Sequence, residues 1–136
     1  MSSKINTANL PGVGALSYLG DARHSLYVRK MLIERGLCKS GDLNNAALNY
    51  VTAEAQAATY RKIEPMFTEE ERDVFRRASN STHLNKPKHT SGADYRAATG
   101  LEAVIGMLYY VGDEERIEKL LFAAYYETDE ERTEEK

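Results

Sequence analysis

Apolar residues recur at intervals of three and four along nearly the whole chain, the period of helices that each bury one stripe. Leu16, Leu19, Leu26, Ile33 and Leu37 predict one long helix from about Gly12 to Gly36. Leu43, Ala47, Tyr50, Val51, Ala55, Ala58 and Ile63 predict a second, from about Asp42 to just before Pro65. Thr68 followed by Glu71 is a capping-box pair and opens a shorter helix to about Ala78. From Ser79 to Ser91 the chain is rich in Asn, Ser and Thr and carries Pro87, so it reads as the one substantial loop. A fourth helix covers about Asp94 to Val111, and Gly112-Asp113 leads into a fifth from Glu114 to Tyr126. No useful stretch alternates with the period of a strand, and no internal repeat is present. The pattern is all-α.

Three glycines stand inside these helices: Gly20, Gly100 and Gly106. Glycine in a helix interior costs about 1 kcal/mol against alanine, so its repeated use predicts close approach of helices. Two of the glycine segments also carry a carboxylate, in Leu19-Gly20-Asp21-Ala22 and in Glu102-Ala103-Val104-Ile105-Gly106. Asp21 and Glu102 lie most of the chain apart, so only tertiary packing can unite them. Were they to converge, they would offer the oxygen ligands that Mg²⁺ prefers. The helical neighbours of Glu102 are Ala98, Leu101, Ile105 and Tyr109, an apolar stripe. A carboxylate there needs a cation, either a metal ion or a basic side chain, and for a lone glutamate a Glu–Arg pair is the commoner answer. Asp21 stands on a more polar strip with Ser17, Tyr18, His24 and Ser25, and His24 reads as a plain surface histidine.

Composition narrows the picture. The 136 residues suit one domain over residues 1–126, followed by an acidic segment at 127–136 that reads as disordered. No apolar run approaches the roughly 20 residues of a membrane span. Met1 to Leu10 lacks the basic-then-apolar order of a secretory signal, which gives a cytoplasmic expectation and no membrane partner. The single cysteine, Cys38, has no internal disulfide partner and reads as buried or half-buried. Net charge is −3, which alone speaks against nucleic acid, but its distribution does not. Between Arg72 and Arg96, six bases (Arg72, Arg76, Arg77, Lys86, Lys88 and Arg96) face only Asp73 and Asp94. Such segregation is the electrostatic footprint of a polyanion partner. His83 and His89 lie in the same segment, with spacing that does not suggest a zinc site.

At this point the residues resemble a family. Tyr18-Leu19-Gly20-Asp21-Ala22 resembles the Leu-Gly-Asp signature of ribonuclease III domains, and Thr99-Gly100-Leu101-Glu102-Ala103-Val104-Ile105-Gly106 resembles their second acidic motif. Val51 to Ala57, Arg76-Arg77 and Lys86-Pro87-Lys88 look like Mini-ribonuclease III in particular, the form without a separate double-stranded-RNA-binding domain. The resemblance spans roughly residues 10 to 125. It implies the helical bundle of the ribonuclease III endonuclease domain and a homodimer with dimer contacts around Leu16, Leu19 and Arg23. It further implies hydrolysis of double-stranded RNA, in maturation of precursor large-subunit (23S) ribosomal RNA. Asp21 and Glu102 would be the catalytic and metal-holding residues, with Mg²⁺ as cofactor and Mn²⁺ as a possible substitute. Arg76, Arg77, Lys86, Lys88 and Arg96 would contact RNA. Two further acidic positions of the larger enzymes are Ser17 and Thr99 here. These hydroxyls either orient water around the ion or simply pack.

Two rival readings stand beside this one. A helical nucleotide pyrophosphohydrolase would need a denser acid cluster than this chain has, and Glu69-Glu70-Glu71 is better explained as a helix N-terminus. A non-catalytic double-stranded-RNA-binding protein on the same fold is made plausible by Ser17 and Thr99.

Overall fold

The computed structural model describes residues 9–81 and 89–127. His83, Lys86, Lys88 and residues 128–136 of the acidic segment lie outside the described residues. Among those described there are six α-helices and no strands: α1 (Val13–Glu34), α2 (Ser40–Val51), α3 (Ala53–Ile63), α4 (Glu69–Ser81), α5 (Gly92–Tyr110) and α6 (Glu114–Tyr125). A 3₁₀ turn, Glu64–Met66, joins α3 to α4. The all-α bundle is as the spacing predicts, and no helix among the described residues is long and apolar enough to cross a membrane.

Local chemistry explains the boundaries. Gly36 (φ 103°) and Gly112 (φ 82°) follow the ends of α1 and α5 in the left-handed region, where a β-carbon is strained. Ser91 and Asp113 cap α5 and α6 by accepting from the backbone N–H groups of Asp94 (3.0 Å) and Arg116 (3.1 Å). The capping box forms as predicted: Glu71 accepts from Thr68 N–H at 2.9 Å, and Thr68 Oγ1 accepts from Glu71 N–H at 3.2 Å. One expectation fails. The single helix from Asp42 to Ile63 is two helices, because Thr52 turns to extended backbone (φ −70°, ψ 160°) and its hydroxyl caps α3 at Ala55 N–H. Apolar spacing runs unbroken across that bend, so periodicity alone could not reveal it.

α5 is the axis of the bundle. Its buried residues run from Ala97 through Leu101, Val104 and Ile105 to Leu108, and α1, α3, α4 and α6 pack around it. The tightest contact is with α1. A β-carbon built on Gly20 would lie 1.6 Å from the Glu102 carbonyl oxygen, and one on Gly106 would lie 1.9 Å from the Leu16 carbonyl oxygen. Each glycine thus receives a carbonyl of the opposite helix where its side chain would be. Gly100 serves differently, its missing β-carbon leaving room for the Phe75 ring, 2.5 Å from that position. Two other assignments change: Cys38 is exposed rather than buried, and the Leu26 and Ile33 side chains of α1 point outward.

The crossing gives a sharp contrast. Gly20→Ala must push one backbone off another, so it should cost about 3 kcal/mol or more, the upper range for overpacking. Gly14→Ala meets nothing within 4 Å, and should instead stabilise by up to about 1 kcal/mol through helix propensity. Urea denaturation of the two variants checks this, and a Gly20→Ala protein as stable as wild type would contradict the close crossing.

Candidate active site: a carboxylate pair at the helix crossing

The crossing sets the site. Glu102 presses its carbonyl onto Gly20, and Asp21 is the next residue, so the two carboxyl groups come within hydrogen-bonding reach of each other. Asp21 is exposed and Glu102 half-buried. Burial is the largest influence on Glu102, followed by the hydrogen bond and negative charge of Asp21, and together they push its pKa up to about 8. A Gln56 hydrogen bond pulls the other way. No cation is among the groups that act on Glu102, so the Glu–Arg alternative is set aside. Without a cation, the pair holds one proton between its two carboxyl groups near neutral pH.

Ser17 and Thr99 are spent on the scaffold. Ser17 Oγ donates to the Thr99 carbonyl (2.7 Å), tying α1 to α5 one turn from the acids, and Thr99 Oγ1 donates to the Tyr95 carbonyl (3.0 Å). His24 is not a surface histidine. It is completely buried, its Nε2 2.6 Å from the Tyr125 hydroxyl and its Nδ1 3.3 Å from the Gln56 amide nitrogen. Burial lowers its pKa to about 4, which leaves it neutral at pH 7. Both ring nitrogens are engaged, so His24 is no metal ligand. No cluster of three or more His, Cys, Asp or Glu that could hold a metal occurs among the described residues. Any ion here therefore rests on Asp21 and Glu102, with water or substrate oxygens filling its remaining positions. Two carboxyl groups pressed together without a cation fit a hard divalent ion.

The expected RNA contacts are only partly described. Arg76 and Arg77 are exposed on α4 and share one carboxylate, Asp73, at 2.7 and 3.1 Å. Exposed pairs of this kind contribute little and can re-partner. Arg96 is exposed on α5 with its guanidinium folded over Gly92. Leu16 is buried in its own core and Arg23 is nearly buried, paired with Glu114 (2.7 Å) and Glu118 (3.2 Å), so neither is free for a second subunit. Gln56 was not among the residues expected at the site. Its only sequence signal is an amide among the alanines of α3, a pattern that reads as a packing face.

An all-α bundle with two acids opposed at a glycine crossing is the frame of a metal-dependent hydrolase. Comparison with known proteins makes this specific: the ribonuclease III domain family matches residues 14–113. The chain is similar to Mini-ribonuclease 3 of Symbiobacterium thermophilum (44% identical, covering 88% of this chain and 91% of that protein). It is also similar to Mini-ribonuclease 3 of Brevibacillus brevis (42%, covering 86% and 87%). A crystal structure of a protein from Fusobacterium nucleatum superposes with a TM-score of 0.79 at 31% identity, covering 91% of this chain and 100% of that one. The chain belongs to the ribonuclease III family, and its activity is that of an endoribonuclease.

The raised Glu102 pKa makes a prediction for the metal-free protein. In the unfolded chain this carboxyl ionises in the usual glutamate range, so from there up to about pH 8 the folded state holds a proton that the unfolded state has lost. Its contribution to stability is complete at low pH and declines as pH rises through that window. Glu102→Gln removes the decline. In EDTA, urea denaturation should find this variant increasingly more stable than wild type from pH 5 to pH 8. A gap that is constant with pH would contradict the shared proton.

Proposed function

We propose that this protein hydrolyses double-stranded RNA in a Mg²⁺-dependent reaction, with Asp21 and Glu102 holding the ion and Mn²⁺ able to replace it. The observation that carries this reading is the pair of carboxyl groups forced together at the α1–α5 crossing with no cation between them. A divalent ion bound there offsets charge on the scissile phosphate and makes water more acidic, the two contributions a phosphodiester hydrolase needs. The chain's own part is to hold both carboxylates on rigid helices, through the glycine contacts and the Ser17–Thr99 bond. Asp21, the exposed member, faces solvent where a phosphate can approach.

Affinity for RNA is assigned to Arg76, Arg77, Lys86, Lys88 and Arg96. Their charge suits phosphates, and the polar loop beside them suits the wide minor groove of an A-form duplex with its 2′-hydroxyls. Two active sites in a homodimer would cut the two strands. An apolar surface supports this: Tyr18 (85% exposed), Leu26 (62%), Ile33 (59%) and Phe122 (51%) stand in water on the single chain. An open groove of about 500 Å³ between α1 and α6, lined in part by Leu26, Tyr27, Tyr109 and Phe122, adjoins them. The substrate assigned is precursor large-subunit (23S) ribosomal RNA in the cytoplasm, resting on likeness to the Mini-ribonuclease 3 proteins.

Cleavage of a radiolabelled RNA duplex by wild type, Asp21→Asn and Glu102→Gln, each in Mg²⁺ and in EDTA, tests the assignment. Wild type should cut only with metal. Each variant should lose at least about 100-fold in rate, since even residues behind a metal ligand cost 10- to 100-fold when removed. Duplex binding without cleavage under any divalent metal, or undiminished cleavage by Glu102→Gln, would overturn it.

A further inference from the structure

Behind Glu102 lies a chain of buried polar side chains drawn from three helices, and its protons can be placed without ambiguity. The Gln56 amide nitrogen can only donate, so His24 Nδ1, 3.3 Å away, accepts and carries no proton. The ring is then neutral with its proton on Nε2, which donates to the Tyr125 hydroxyl oxygen at 2.6 Å. Thr59 Oγ1 gives its own proton to the Ala55 carbonyl (3.1 Å), so at 3.3 Å it accepts from Tyr125 O–H. Every bond in the series Gln56 → His24 → Tyr125 → Thr59 → Ala55 runs in one direction. The second amide proton of Gln56 is left for Glu102, whose carboxyl it hydrogen-bonds.

The network is costly to keep unless it does something. Gln56 and Thr59 are 2% and 7% exposed, His24 is wholly buried, and none carries a charge that stabilises the fold. Tyr125 is wedged against Tyr50 in an edge-to-face contact at 5.1 Å and against His24 at 6.0 Å, which fixes its hydroxyl. Leucine and phenylalanine would fill the same volume with no donors to satisfy. What the polar series achieves is a single orientation of the Gln56 amide, with an N–H aimed at one carboxyl of the acidic pair.

We propose that Gln56 is a positioning residue for the active site: oriented by neutral, Nε2-protonated His24, it holds the Glu102 carboxyl in the arrangement that accepts the divalent cation. This rests on the two-carboxylate reading above. A hydrogen bond from an amide to a ligating carboxylate fixes its rotamer and favours its charged form, the state a cation requires. It acts only through Glu102, since nothing places Gln56 against substrate.

The test uses the full chain and Mn²⁺ alone as probe, with binding read by electron paramagnetic resonance. Gln56→Met keeps length and volume but removes the donor. It should weaken Mn²⁺ binding about 10- to 100-fold, the usual range for a residue behind a ligand, and slow duplex cleavage to match. Affinity for the duplex in EDTA should stay at the wild-type value. Long-range ¹H–¹⁵N spectra of wild type should show His24 as the Nε2–H tautomer, a readout that survives even if the variant does not fold. Mn²⁺ binding by Gln56→Met equal to wild type, or a His24 proton on Nδ1, overturns the proposal. Glu102→Gln separates the two levels. If it binds Mn²⁺ like wild type, the carboxylate-pair reading falls and this proposal with it. If it loses the ion while Gln56→Met does not, only the role of Gln56 is refuted.

Discussion

The contact between Gly20 and the Glu102 carbonyl, answered by that between Gly106 and the Leu16 carbonyl, governs the rest of the structure. It lets two helix backbones touch, which no pair of larger residues allows. Because it is reciprocal, it fixes the sliding and the rotation of α1 against α5 together. Asp21 follows Gly20 directly, and Glu102 supplies the carbonyl, so the same contact that packs the helices sets the carboxyl groups face to face. Scaffold and site share their atoms. The Ser17–Thr99 bond one turn away then serves as a second pin across the same crossing.

Two buried glutamates show how this molecule treats negative charge. Glu71, only 2% exposed, accepts from both Nε (2.8 Å) and Nη2 (2.9 Å) of Arg116 and from the Thr68 amide. It is a closed ion pair joining α4 to α6, and its bonds are complete. Glu102 sits in a comparably apolar setting without any cation and beside a second acid. The first arrangement supports the fold. The second works against it in the metal-free state, and it persists because the surrounding helices over-determine it. Binding sites are commonly destabilised in this way, with the ligand supplying the missing charge. In the Gln56–His24–Tyr125 series, polar groups whose bonds are complete stand behind one whose charge is not.

Much of this was legible in the residues. Helical spacing, the Thr68–Glu71 box and Gly112-Asp113 place five of the seven helix ends that chemistry marks. The mid-helix glycines flag the crossing because their propensity penalty needs a steric reason. The acids beside them then identify the site. What escaped was three-dimensional. The break at Thr52 leaves the apolar period intact and turns on one capping hydroxyl. His24 looks exposed because its sequence neighbours are polar, whereas its burial comes from α3 and α6. Gln56 is one amide among alanines until the fold sets it between His24 and Glu102. Leu26 and Ile33 fit the apolar stripe of α1, yet they face outward, on the surface assigned to a second subunit.

The account stands on one spatial claim, that Asp21 and Glu102 form a single divalent-cation site. The most direct measurement is anomalous diffraction from crystals of the protein soaked in Mn²⁺, located at the manganese edge. The account predicts a peak at the α1–α5 crossing with oxygens of both Asp21 and Glu102 as ligands. A peak bound by neither residue, or by Asp21 alone with Glu102 turned away, would contradict it.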